Sequence, residues 1–170
     1  MEEAIRILKI GIELERTGLK NYLDYSFATK DETGKNMFLK LAHDEFDHMS
    51  ILEQELDSLV TDKRWVPVEI PASIVEKVAP KLRDVEKKKA AGGLKELDAL
   101  KTALDGEKKS IAFYKDEQNK LKDTNGVEIF KRLVEMEESH YDMIQAQIDH
   151  IENTGFWFGI QEFQLEGERE

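Results

Sequence analysis

Two short stretches carry the residues best suited to chemistry: Asp44-Glu45-Phe46-Asp47-His48 and Met136-Glu137-Glu138-Ser139-His140. Each holds Glu-x-x-His inside an amphipathic run. On a helix, positions i and i+3 lie on one face about a turn apart, so carboxylate and imidazole project together. Two such pairs facing each other across a helical bundle offer oxygen and nitrogen donors with room for two metal ions. A single Glu-x-x-His is weak evidence, because a solvated helix face gives the same spacing by chance.

An internal repeat separates signal from chance. Shifted by 92 residues, the chain matches itself. Glu15 falls on Glu107, Tyr22 on Tyr114, Asp24 on Asp116, Lys30 on Lys122 and Asp31 on Asp123. Gly34 falls on Gly126, Phe38 on Phe130, Leu41 on Leu133, Glu45 on Glu137 and His48 on His140. These ten identities lie within the 41 positions from 15 to 55. The polar residues kept on apolar stripes are Glu, Tyr, Glu and His in both halves.

The elements that must position these groups follow from apolar periodicity. Helices are predicted over about 2–29, 35–60, 94–122 and 127–153. The segments 30–34 and 123–126 have turn chemistry. Pro67, Pro71 and Pro80 all fall in one connection, about 61–93, with a short helix predicted over 72–78. Short turn, long connection, short turn describes an all-α four-helix bundle of two antiparallel hairpins joined by a crossover. Residues 1–153 form that domain. Residues 154–170 form a tail whose Phe156, Trp157, Phe158 and Phe163 are too aromatic to be left entirely in water. Trp65 and the Phe156-Trp157-Phe158 cluster are expected to form a packed cap or a dimer contact rather than a redox relay, with partner binding by the tail as the alternative.

Glu15 and Glu45 stand about equally far from Lys30, and Glu107 and Glu137 from Lys122. At ~1.5 Å per residue, both pairs lie ~20 Å from their turns, at one level in mid-bundle. Four buried carboxylates would cost several kcal/mol each without compensation. Two divalent cations balance the four charges of Glu15, Glu45, Glu107 and Glu137. Mixed carboxylate and imidazole donors suit iron or manganese, singly or as a mixed Fe/Mn pair, better than calcium, with zinc as a substitute. Tyr22 and Tyr114 read as outer hydroxyls, because helical side chains lean toward the N-terminus and carry each ring back to the metal level. Each is placed to bond a carboxylate of the opposite hairpin. Glu13, His43 and His150 fall off the ligand positions, and Asp44, Asp47 and Glu138 are expected to face solvent.

Composition narrows the class further. A net charge of −11 without a sustained basic cluster argues against nucleic acid or an anionic membrane; Lys87-Lys88-Lys89 reads as a solvated linker. The absence of cysteine excludes disulfides, thiolate catalysis and Cys-ligated metals, and it suits a reducing cytoplasm. The acidic Met1-Glu2-Glu3 start and periodic apolar positions give no secretory signal and no membrane span.

The pattern Glu15-x6-Tyr22, Glu45-x2-His48, Glu107-x6-Tyr114, Glu137-x2-His140 resembles the ferritin-like di-iron carboxylate superfamily, most closely its rubrerythrin-related branch. The resemblance spans nearly all of the chain to about Asn153. It implies Glu15 and Glu107 as terminal ligands, Glu45 and Glu137 as bridging ligands, and His48 and His140 as one imidazole per metal. Full rubrerythrins also carry a Cys-ligated rubredoxin domain, so here the electron donor is expected to be a separate protein or small reductant. Where rubrerythrins tend to carry a further Glu one turn after the third-helix ligand, this chain has Ser110, which is closer to the six-ligand set of bacterioferritins.

Three activities fit. One is an oxidoreductase that reduces H2O2 or O2, with a homo-dimer or higher oligomer expected. The second is a ferroxidase of a storage cage. The third is a metal-stabilised structural or interaction module.

Overall fold

Four helices follow one another in the computed structural model, which describes residues 1–71, 73, 75, 94–155 and 157. They are α1 (Glu2–Ala28), α2 (Glu32–Thr61), α3 (Leu94–Gln118) and α4 (Thr124–Thr154). Helix α1 packs along α2, α3 packs along α4, and α1 also meets α3. Among the described residues there is no strand. The bundle is the expected pair of antiparallel hairpins. The predicted helix over 72–78, apart from Ser73 and Val75, and the tail aromatics Phe156, Phe158 and Phe163 lie outside the described residues.

Three helix boundaries differ from the sequence reading. Helices α2 and α4 begin inside the segments read as turns, at Glu32 and Thr124. Asp31 is the N-cap of α2 and accepts from the Thr33 and Gly34 amides; Asp123 caps α4 and accepts from the Asn125 amide. Asp is favoured both in turns and at N-caps, for the same side-chain-to-backbone bond, so composition alone did not separate the two. Helix α3 ends at Gln118, four residues short of Lys122.

A buried polar layer divides the apolar core in two. On one side Tyr22, Phe38, Leu41, Leu104, Ile144 and Ile148 pack together. On the other are Ile7, Leu8, Leu52, Tyr114, Phe130 and Leu133. The repeat exchanges these clusters, since Phe38 belongs to the first and its partner Phe130 to the second. The two halves are thus related by a pseudo-twofold axis across the bundle rather than along it.

The described part of the crossover, to Val75, passes this layer. Val66 donates its amide to buried Glu55 Oε2 at the Phe130 end, Ser73 lies against Asp44 at mid-height, and Val75 is buried in the Phe38 cluster.

Each end is closed by an indole. Trp65, just after α2, sits over Gly126 at the start of α4 and meets Phe130 edge-on at 6.4 Å. Trp157, just after α4, sits over Gly34 at the start of α2 and meets Phe38 edge-on at 5.7 Å. A Cβ at Gly34 would come within 2.6 Å of the Trp157 ring, and one at Gly126 within 2.8 Å of the Trp65 ring. Glycine is required there by close approach. Trp157 Nε1 also donates to Glu96 Oε2 at 3.1 Å. Trp65 and Trp157 are themselves 92 residues apart. Each hairpin is therefore capped by the tryptophan of the other.

Candidate metal centre

The polar layer consists of Glu15 on α1, Glu45 and His48 on α2, Glu107 on α3, and Glu137 and His140 on α4, none more than 4 % exposed. Two sets of ligand atoms within 4.8 Å of one another emerge from them. One is Glu15, Glu45, His48 and Glu137; the other is Glu45, Glu107, Glu137 and His140. Glu45 and Glu137 belong to both. All six residues singled out by the repeat are brought together, with the two Glu-x-x-His glutamates shared and the α1 and α3 glutamates one to each set.

Both imidazoles turn Nδ1 inward. His48 Nδ1 lies 3.2 Å from Glu15 Oε2 and 3.2 Å from Glu137 Oε1. His140 Nδ1 lies 3.2 Å from Glu45 Oε1 and 3.3 Å from Glu137 Oε2, with Glu107 Oε1 at 3.8 Å. The rings stack 5.4 Å apart. Gly18 on α1 makes room for this packing, because a Cβ there would lie 2.6 Å from Glu45 Oε2.

The tyrosines reach across the bundle. Tyr22 donates its hydroxyl to Glu107 Oε1 and Tyr114 donates to Glu15 Oε1. Each ring belongs to one hairpin and each acceptor to the other, so these bonds fix the outer glutamates with respect to both. Burial, reinforced by the nearby carboxylates, pushes both phenols well above their ordinary range and keeps them protonated donors.

One sequence expectation is overturned. Asp44, assigned to solvent, is 3 % exposed. Its Oδ2 accepts from Ser73 Oγ and from His140 Nε2, the latter at 3.3 Å. The crossover folds over this face of α2 and buries the carboxylate, and helical periodicity cannot anticipate a covering loop. Asp47 is half-buried, whereas Glu138 is exposed and paired with Lys115. Glu13 is exposed and pairs with Arg16. His43 is exposed too, with Nδ1 3.5 Å from Asp47, and it is not among the six residues of the buried layer.

In comparison with known proteins, the rubrerythrin family model matches residues 6–148. The chain belongs to the rubrerythrin family. No curated protein and no solved structure gives a significant match.

Family membership and the two buried sets together fit a two-metal site in this rubrerythrin-family bundle. The hydrogen bonding of His140 tests that fit. Donation from Nε2 to Asp44 leaves Nδ1 of the neutral ring as a lone pair, yet Nδ1 faces only carboxylate oxygens. Nδ1 of His140 and Oε2 of Glu137 are buried without a hydrogen bond. Acceptors crowded around acceptors need a positive species between them. The donor set suits a divalent transition metal at each group.

Protons answer the same need in the metal-free fold. Burial raises Glu45 well above the usual carboxylate range, with Glu137 and Glu15 adding to it. Burial likewise raises Glu107, again helped by Glu137. Burial opposes charge on His48, but the Glu137 and Glu15 carboxylates outweigh it and hold the imidazole up to about 10. His140 is raised in the same way by Asp44, Glu137 and Glu45 against its burial. Glu137 is driven well below its ordinary value: burial opposes this, and the two imidazoles overcome it. Neutral Glu45 and Glu107 with cationic His48 and His140 reduce the negative charge of the layer, and two divalent cations with neutral imidazoles do the same.

Proposed function

We propose that this rubrerythrin-family chain is a dinuclear metal oxidoreductase that reduces hydrogen peroxide or O2, with iron as its metal. The observation that carries the reading is the sharing of Glu45 and Glu137 between two buried donor sets, each with its own imidazole. When bound there, two iron ions supply a store of two electrons and Lewis acidity toward a peroxide oxygen. Glu15 and His48 would hold one ion, Glu107 and His140 the other, and Glu45 and Glu137 both.

The remaining work belongs to the chain. Reducing H2O2 to two waters consumes two electrons and two protons. Tyr22 and Tyr114 keep protons at their hydroxyls against Glu107 and Glu15, on the edge of the layer. Asp44 holds the proton of His140 at Nε2, so that Nδ1 stays directed inward. The two apolar clusters exclude bulk water above and below. Electrons come from a separate protein or small reductant, and a cysteine-free chain fits a reducing cytoplasm.

The test is metal analysis followed by stopped-flow mixing of the reduced, iron-loaded protein with H2O2. The reading expects two irons per chain and rapid peroxide consumption. Two irons without peroxide or O2 consumption would leave a metal-stabilised structural module instead, and far fewer than two metals would remove the centre altogether.

A further inference from the structure

Six donors this deeply buried need a way in. A cavity of about 220 Å³ opens between α1 and α3, and its lining includes Glu45 and Glu107 but neither Glu15 nor Tyr114. Around it the two halves of the chain part company. Asn21, Thr102 and Gly106 line the cavity, while the positions related to them by the repeat hold Phe113, Ile10 and Leu14. At Asn21 and Thr102 a polar residue stands where the other half has a large apolar one; Leu14 lines the cavity as well, and its repeat partner Gly106 brings no side chain to it. A Cβ added at Gly106 would meet nothing within 4 Å, whereas Phe113 packs edge-on against Tyr114.

The chemistry of the cavity selects its visitor. At ~30 Å³ per water it holds about seven waters, enough for a hydrated divalent cation. Thr17, Asn21, Thr102 and Ser110 offer oxygens that can replace shed waters on the way in. At the inner end stand two carboxylates, backed by the unpartnered Glu137 Oε2 and His140 Nδ1. Lys109 is the one cationic side chain among the lining residues.

We infer that this cavity is the port by which hydrated divalent cations enter, delivering them to the Glu45–Glu107–Glu137–His140 group before the Glu15–His48 side. The inference rests on the two-metal reading above.

Stopped-flow absorbance of Co2+ uptake by the metal-free protein tests it. Asn21→Phe with Gly106→Leu installs the residues that the other half already carries. This pair should slow uptake by about tenfold, leaving the final Co2+ content unchanged. Lys109→Glu should speed uptake several-fold at low salt, with the gain lost at high salt. If the double variant does not fold, as judged by circular dichroism, Lys109→Glu decides alone. Uptake rates indifferent to these changes overturn the port. A wild-type protein that fails to bind two Co2+ per chain overturns the two-metal reading itself, so the two failures are distinguishable.

Discussion

Asp44 Oδ2 accepts from His140 Nε2 at 3.3 Å, an interaction with no counterpart at His48 among the described residues. The repeat partner of Asp44 is Met136, and His48 Nε2 finds no hydrogen bond among the described residues. Among the described residues, one imidazole is braced at Nε2 by a carboxylate and the other is not. A braced imidazole is fixed in tautomer and orientation and is the stronger base. The two halves of a centre built from matching donors are therefore chemically unequal.

Asp44→Asn should weaken one of the two metal-binding steps by about 10- to 100-fold and leave the other in place. Titration with Co2+, followed by visible absorbance, reads the steps separately. Two steps weakened equally would contradict the pairing of Asp44 with a single half.

His48→Ala together with His140→Ala should abolish most metal binding while far-ultraviolet circular dichroism stays helical. Removing both rings deletes one donor from each set, but the apolar clusters on either side keep their contacts. Metal content like that of the wild type would contradict the donor assignment.

The metal-free protein should lose stability as pH rises. His48 holds its proton up to about 10 in the fold, against an ordinary 6.5 when unfolded. Across that window the native state binds more protons than the unfolded chain, so the stability from this group is complete below 6.5 and lost by about 10. His140, Glu45 and Glu107 are raised as well and act in the same direction. Thermal unfolding of the metal-free form should therefore show Tm falling between pH 6.5 and 10. The metal-loaded form should be flatter, because bound cations replace those protons. A metal-free Tm that is level or rising over this range would refute the balance.

Trp65→Ala should cost about 3–5 kcal/mol, since it empties a buried site over Gly126. Gly126→Ala should cost about 1–3 kcal/mol through the opposite fault, overpacking against the indole. Chemical denaturation measures both. Additive losses in the double variant would show that the two residues do not share one contact, contrary to the structure.

How much of this could be read from the sequence depended on symmetry. Glu15, Glu45, His48 and their partners stood out because each recurs after 92 residues on an apolar stripe, and all six do meet in one buried layer. Asp44 escaped for the same reason. A residue that acts on only one half has no repeat to mark it, and it was buried by a crossover whose path periodicity does not describe. Trp65 and Trp157 carried a legible signal, an identity at the same offset, but it lies past the span from 15 to 55 where the matches were dense. The starts of α2 and α4 were missed because an aspartate that caps a helix looks like one that makes a turn.

The exchange of tryptophans between hairpins bears on the history of the chain. Two identical, separate hairpins could associate about a twofold axis, and each would still receive its cap from the other. Such a pair would also bring together matched glutamates, histidines and tyrosines. It could not carry an aspartate behind only one histidine, because every change would be made twice. Joining the hairpins into one polypeptide frees the halves to diverge, and Asp44 marks where they have done so.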